Sequence, residues 1–86
     1  MNRVLVLLLS LVLALPVQAL DLQGLYEQAL TASRKGDFVE ALPLWDRFLE
    51  QAPEDAAALS NRGNVRLALG DASGAIEDQT LSLIHI

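Results

Sequence analysis

The chain has no cysteine and a single histidine among its 86 residues, and aromatic side chains make up only 5% of it. Without cysteine there is no disulfide, no thiolate nucleophile and no sulfur ligand for a metal, so packing alone must hold whatever folds. The one histidine, His85, stands next to the last residue beside apolar neighbours, which leaves no credible imidazole base and no cluster of metal ligands. No glycine-rich loop of the kind that cradles phosphates occurs. The carboxylates Glu54 and Asp55, and Glu77 and Asp78, come as adjacent pairs, which on a helix diverge by about 100° per residue and do not converge on one substrate. They read as a cap region and a solvated face, so replacing Glu77 or Asp78 with alanine is expected to change stability by less than about 0.5 kcal/mol. These absences argue against an enzyme, a metal or cofactor, and a small-molecule substrate.

Basic residues are scarce as well: six Lys and Arg stand against eleven Asp and Glu, a net charge of −5. Removing residues 1–19 takes away Arg3 and no acid, leaving 5−11 = −6. Nucleic acid demands clustered Lys and Arg, and anionic membrane surfaces demand a polybasic patch, so neither is an expected partner.

What the chain does have begins with an apolar leader. Arg3 and the free amino terminus supply a positive start, Val4 to Leu15 is apolar except for Ser10, and Pro16, Val17, Gln18 and Ala19 follow. That is the three-part pattern of a secretory signal peptide, with Val17 and Ala19 as the small residues a signal peptidase accepts and cleavage expected after Ala19. A retained anchor is the alternative, although a spanning helix needs about 20 consecutive apolar residues and this run meets Pro16 and Gln18 first. No cysteine follows the small residues, which excludes a lipoprotein anchor. The leader also inflates the mean hydropathy of +0.34. The expected location is periplasmic or secreted, or a thylakoid lumen; with an uncleaved leader the protein would be membrane-tethered.

At the other end, residues 81–86 spell LSLIHI. The string looks like the in-frame translation of CTGTCTCTTATACACATC, a transposon end ligated into sequencing libraries, and on that reading the native sequence is interrupted after Thr80. The alternative is that Leu81, Leu83 and Ile84 are the apolar end of a last helix. A clone of the full gene decides between the two.

Between these ends Gly36 and Asp37 return as Gly70 and Asp71, and Ala41 returns as Ala75, at one offset, 70−36 = 34 and 75−41 = 34. This is the period of a helix-turn-helix repeat. In the first unit, 20–55, Leu22, Leu25, Ala29 and Ala32 fall on one helical face, predicting a helix over about 22–35 capped by Asp21 and closed by Gly36 in the left-handed conformation. Asp37 with Glu40 reads as a capping box worth about 1 kcal/mol at the start of a second helix, about 38–51. That helix presents Phe38, Ala41, Trp45, Phe48 and Ala52 on one stripe, with Trp45 as the anchor. Pro43 inside it removes one backbone hydrogen bond and predicts a local bend. Pro53 ends it. The second unit, 56–80, has helices over about 56–69 and from 72, with Ala75 and Ile76 as the first core residues of the last.

Over residues 22–80 the chain resembles the tetratricopeptide repeat family. In the first unit Leu25, Ala29, Gly36, Asp37, Phe38, Ala41, Trp45 and Pro53 match the family's large, small, turn, aromatic and closing-proline positions. In the second, Leu59, Asn61, Gly63, Leu69, Gly70, Asp71, Ala75 and Ile76 match in the same register. The departures are Gln28 and Arg62 at a position usually Leu, Ala32 and Arg66 at one usually Tyr, and Ala72 in place of the turn aromatic, each of which is expected to weaken the core. The run NRGNVRLALGD also resembles repeats of cyanobacterial and chloroplast members.

The resemblance implies an all-α fold, a fragment of an α-solenoid behind a signal-peptide helix. It implies a concave groove lined by the first helices of successive repeats, with Gln23, Tyr26, Leu30, Ser33 and Arg34, then Ala57, Ser60, Asn61, Asn64 and Leu67, as the positions facing a protein or peptide partner. Some relatives clamp a terminal carboxylate with Lys and Asn; Tyr26 and Leu30 stand at those positions here, so no such clamp is expected. The expected function is a non-catalytic exported scaffold for protein–protein interaction. The alternative is the repeat region of a longer exported enzyme or transporter accessory, which sequence beyond Thr80 would reveal.

Overall fold

The computed structural model describes residues 21–86; the leader and the expected cleavage site at Ala19 lie outside these. The described chain is all helical: α1 over residues 21–35, α2 over Phe38–Gln51, α3 over Ala56–Ala68 and α4 over Ala72–Ile84. Helix α3 packs against both α2 and α4, while α1 joins α2 through Leu25, Ala29 and Ala32 in one core with Ala41 and Trp45. No described helix is long and apolar enough to cross a membrane.

The helix pairs sit close because small residues line their contacts. Ala29, Ala41, Ala58 and Ala75 are buried, which lets helix axes approach as larger side chains would not. Gly63 shows how close: a Cβ there would come within 3.2 Å of the Asp78 Cβ and nearer still to the Gln79 amide. The two interhelical turns share one construction. Gly36 and Gly70 adopt φ of +79° and +88°. The next amide, of Asp37 or Asp71, donates back to Ala32 or Arg66 at 2.9 and 2.8 Å, and each glycine amide donates to Ser33 or Leu67. This pairing satisfies the last carbonyls of α1 and α3, and it needs a residue that tolerates the left-handed region.

Caps differ between the units. Asp55 accepts from the Ala58 amide at 2.9 Å and Asp71 from the Gly74 amide at 3.0 Å, whereas Asp37 makes no side-chain cap bond. The capping box read at Asp37 and Glu40 therefore does not form. Asp55 caps across Ala58 from an extended backbone, ψ 108°, whereas Asp37 and Asp71 share a different one, ψ 66° and 75°. From that backbone the Asp71 carboxylate takes the space a Cβ on Gly74 would fill, and beside Asp37 the Cβ of Glu40 fills it. Asp21 likewise lies inside α1 instead of capping it.

Helix α2 runs through Pro43 without interruption. The carbonyl that loses its donor is that of Val39, a residue 80% exposed. Helix α4 does not end at Thr80. It continues to Ile84, with Leu81 packed against the core and the Ser82 hydroxyl donating to the Ala56 carbonyl at 2.7 Å. Of the two residues expected to start the core face of α4, Ala75 is buried but Ile76 is 68% exposed. One helical position separates them, and about 100° of rotation carries Ile76 off the face that meets α3.

Candidate functional site

The first unit is built around three rings. Trp45 is fully buried; its ring meets Tyr26 edge-on at 5.1 Å between centroids, and Tyr26 meets Phe48 at 5.1 Å. Edge-to-face pairs of this kind add roughly 0.5–1.5 kcal/mol beyond their buried area. The indole Nε1–H donates to the Ser33 hydroxyl at 2.8 Å, and that hydroxyl donates to the Ala29 carbonyl at 2.9 Å. Ser33, expected to face a partner, is instead the polar anchor of Trp45.

Tyr26 is only half buried, so one side of this cluster reaches the surface. There Leu22, Tyr26, Leu30 and Phe48, rimmed by Gln23 and Glu27, line an open cavity of about 570 Å³. Gln23 and Arg34 are exposed, and Leu30 is half buried. Of the groove residues expected on α1, Gln23, Tyr26 and Leu30 thus share one cavity, and Arg34 lies outside its lining.

Of the expected groove residues on α3, Ala57 and Leu67 are exposed, while the polar Ser60, Asn61 and Asn64 are engaged within the fold. The Asn61 amide donates to its own helix at the Ala57 carbonyl, 2.8 Å. Ser60 donates to the Gln79 Oε1 at 3.2 Å, and the Gln79 amide donates to the Ser60 carbonyl at 3.0 Å and the Asn64 Oδ1 at 3.1 Å. Gln79 stands where the first unit has Trp45, 79−45 = 34. A hydrogen-bonded amide therefore ties α3 to α4 where an aromatic ring ties α1 to α2.

The charged centre is one that sequence reasoning missed. Asp78, expected on a solvated face, is fully buried. Arg62 grips it with a two-pronged fork, Nε to Oδ2 at 2.9 Å and Nη2 to Oδ1 at 2.8 Å. Arg66 adds a third bond to Oδ2 at 3.0 Å, and the remaining Arg62 nitrogen reaches Asp46 on α2 at 3.0 Å. The Arg62 guanidinium is held above its ordinary pKa, first by the hydrogen bonds to Asp78 and then by its charge and by Asp46, against the opposing effect of burial. Among the described residues no buried side-chain nitrogen or oxygen lacks a partner. A buried carboxylate with three charge-assisted bonds is satisfied; the same carboxylate without its arginines would be costly. The available signal was the pair Arg62 and Arg66, one turn apart at positions that are apolar in the repeat pattern. Two arginines facing a core call for an acid on the next helix.

Among the described residues no group of three potential metal ligands is brought together. The arrangement has two helix pairs at a 34-residue spacing, each with small residues at its contact and glycine at its turn. The sequence profile of the tetratricopeptide repeat family matches residues 26–82. The chain belongs to the tetratricopeptide repeat family. Over 62 residues it is 34% identical to tetratricopeptide repeat protein 36 of Danio rerio, an alignment covering 72% of this chain and 30% of that protein. Over 51 residues it is 39% identical to tetratricopeptide repeat protein 36 of Bos taurus, covering 59% and 27% respectively. The chain thus spans less than a third of the length of these tetratricopeptide relatives. No solved structure matches.

Proposed function

We propose that this tetratricopeptide repeat chain is an exported, non-catalytic scaffold that holds a protein or peptide partner against the faces of α1 and α3. The observation that carries the reading is the cavity at Leu22, Tyr26, Leu30 and Phe48. It is apolar and open, and it borders the aromatic core without being filled by it. An apolar concavity with a polar rim is what a partner's side chain anchors in. Export rests on the Arg3, Val4–Leu15 and Ala19 pattern, and the proposed destination is the periplasm, the extracellular space or a thylakoid lumen.

Two measurements test this. A fusion of the leader to a reporter active only after export should be active, and the amino terminus of the exported product should be Leu20; an intact amino terminus would make the protein membrane-tethered instead. A photo-crosslinker placed at residue 23 or 30 should capture a discrete partner that the same group at exposed residue 47 or 77 does not. Equal capture at all four positions would remove the groove from the reading.

A further inference from the structure

The groove reading leaves the chemistry of the partner open, and the charge distribution narrows it. Eleven acids and five bases follow Leu20. Three of the acids, Asp46, Asp71 and Asp78, are paired with two of the bases, Arg62 and Arg66. Among the described residues that leaves eight carboxylates against three cations, Arg34, Lys35 and Arg47. The ion network thus removes a larger share of the positive charge than of the negative from contact with a partner.

The cavity on the first unit carries the same sign. Its one charged lining residue is Glu27, which is exposed and has no ion pair among the described residues. An anionic segment seated there would bring like charges together, whereas a cation beside the anchored side chain would meet the opposite charge of Glu27. The walls supplied by Leu22, Tyr26, Leu30 and Phe48 accept an aliphatic or aromatic side chain, and the lining holds no cation to pair with an anion.

We propose that the first repeat binds a peptide segment in which an apolar side chain enters this cavity and a flanking Lys or Arg pairs with Glu27. The proposal rests on the groove reading above and adds the partner's chemistry to it. The excess of unpaired carboxylates steers such a basic segment toward the surface, and the effect weakens as salt is added.

The chain carries its own reporter. Trp45 is the only tryptophan, and Tyr26, a wall of the cavity, lies 5.1 Å from it. The test titrates the chain with three capped peptides of about 12 residues, about 40 Å when extended, on a Gly-Ser background, carrying Lys-Leu-Lys, Glu-Leu-Glu or Lys-Ser-Lys. Trp45 emission and fluorescence anisotropy of a labelled peptide are followed together. Lys-Leu-Lys should bind about tenfold or more tightly than either of the others. Glu27→Lys, an exposed substitution that leaves the core untouched, should reverse the preference between Lys-Leu-Lys and Glu-Leu-Glu. Equal binding of Lys-Leu-Lys and Lys-Ser-Lys, a preference for Glu-Leu-Glu, or indifference to Glu27→Lys would overturn the proposal. So would no binding of any of the three, and the groove itself would then stand or fall on the site-specific crosslinks alone.

Discussion

The two units follow one backbone plan and hold it together with opposite chemistry. In the first, Tyr26, Trp45 and Phe48 form an aromatic cluster with one hydrogen bond to Ser33. At the matching positions, 34 residues on, the second has Ser60, Gln79 and Ser82, each joined to its neighbours by hydrogen bonds. The other contact differs just as much. Gln28, Ala32 and Leu44 border an open cavity of about 510 Å³, while their counterparts Arg62, Arg66 and Asp78 are locked in an ion network that reaches back to Asp46. The backbone tolerates either solution because the parts that set helix separation and turn geometry are shared: small residues at the contacts and glycine at φ near +80°. What differs is directionality. Aromatic burial resists most exchanges of shape, whereas the polar unit depends on a few specific partners being present together.

The comparison can be broken at equivalent positions, with chemical denaturation as the measurement. Trp45→Ala should cost about 3–5 kcal/mol and leave little folded first unit, while Gln79→Ala should cost about 1 kcal/mol. Equal effects would mean that the units are not held differently. Asp78→Ala should cost about 3–5 kcal/mol by stranding Arg62 and Arg66, far above the 0.5 kcal/mol expected of a solvated face. Replacing Arg62, Arg66 and Asp78 together with Met, Met and Leu should recover most of that loss; failure to recover would show that the charges set the packing of α3 on α4 as well as neutralise one another.

Smaller effects test where the units agree. Gly36→Ala and Gly70→Ala should each cost about 1–2 kcal/mol, because both force a side chain into the left-handed region; a difference between them would break the shared turn. Asp71→Ala should cost about 1 kcal/mol and Asp37→Ala less than about 0.5 kcal/mol, since only the former caps its helix. Smallest of all is the alkaline response. A cation raised above its unfolded pKa contributes fully below the unfolded value and loses that contribution only as pH rises through the folded one. Arg62 should therefore add no slope to stability between about pH 7 and 10, where an arginine remains charged in either state.

The repeat was legible because its signals are local. A 34-residue return of Gly, Asp and Ala, and apolar residues at three and four spacing, each depend on neighbours within one or two turns. The cavity was legible in part: Gln23, Tyr26 and Leu30 are read from their place on a helix, but Phe48, on the facing helix, completes it. Ser33, Asn61 and Asn64 share a helix face with the groove residues, yet the face does not say which side chains the fold has already engaged. Asp78 was misread because adjacent acids on a helix usually mark a solvated face, and nothing near it in the chain shows that Arg62 and Arg66 lie across the contact, 16 and 12 residues away.

By itself, the amino-acid order determined the helices, their turns and the family, because helix periodicity, glycine at a left-handed turn and small residues at contacts act over a few positions. Tertiary structure alone decided which polar groups are buried and with whom. Burial, unlike periodicity, is a property of what packs against a residue: α4 against α3 makes Asp78 an internal anion held by Arg62 and Arg66.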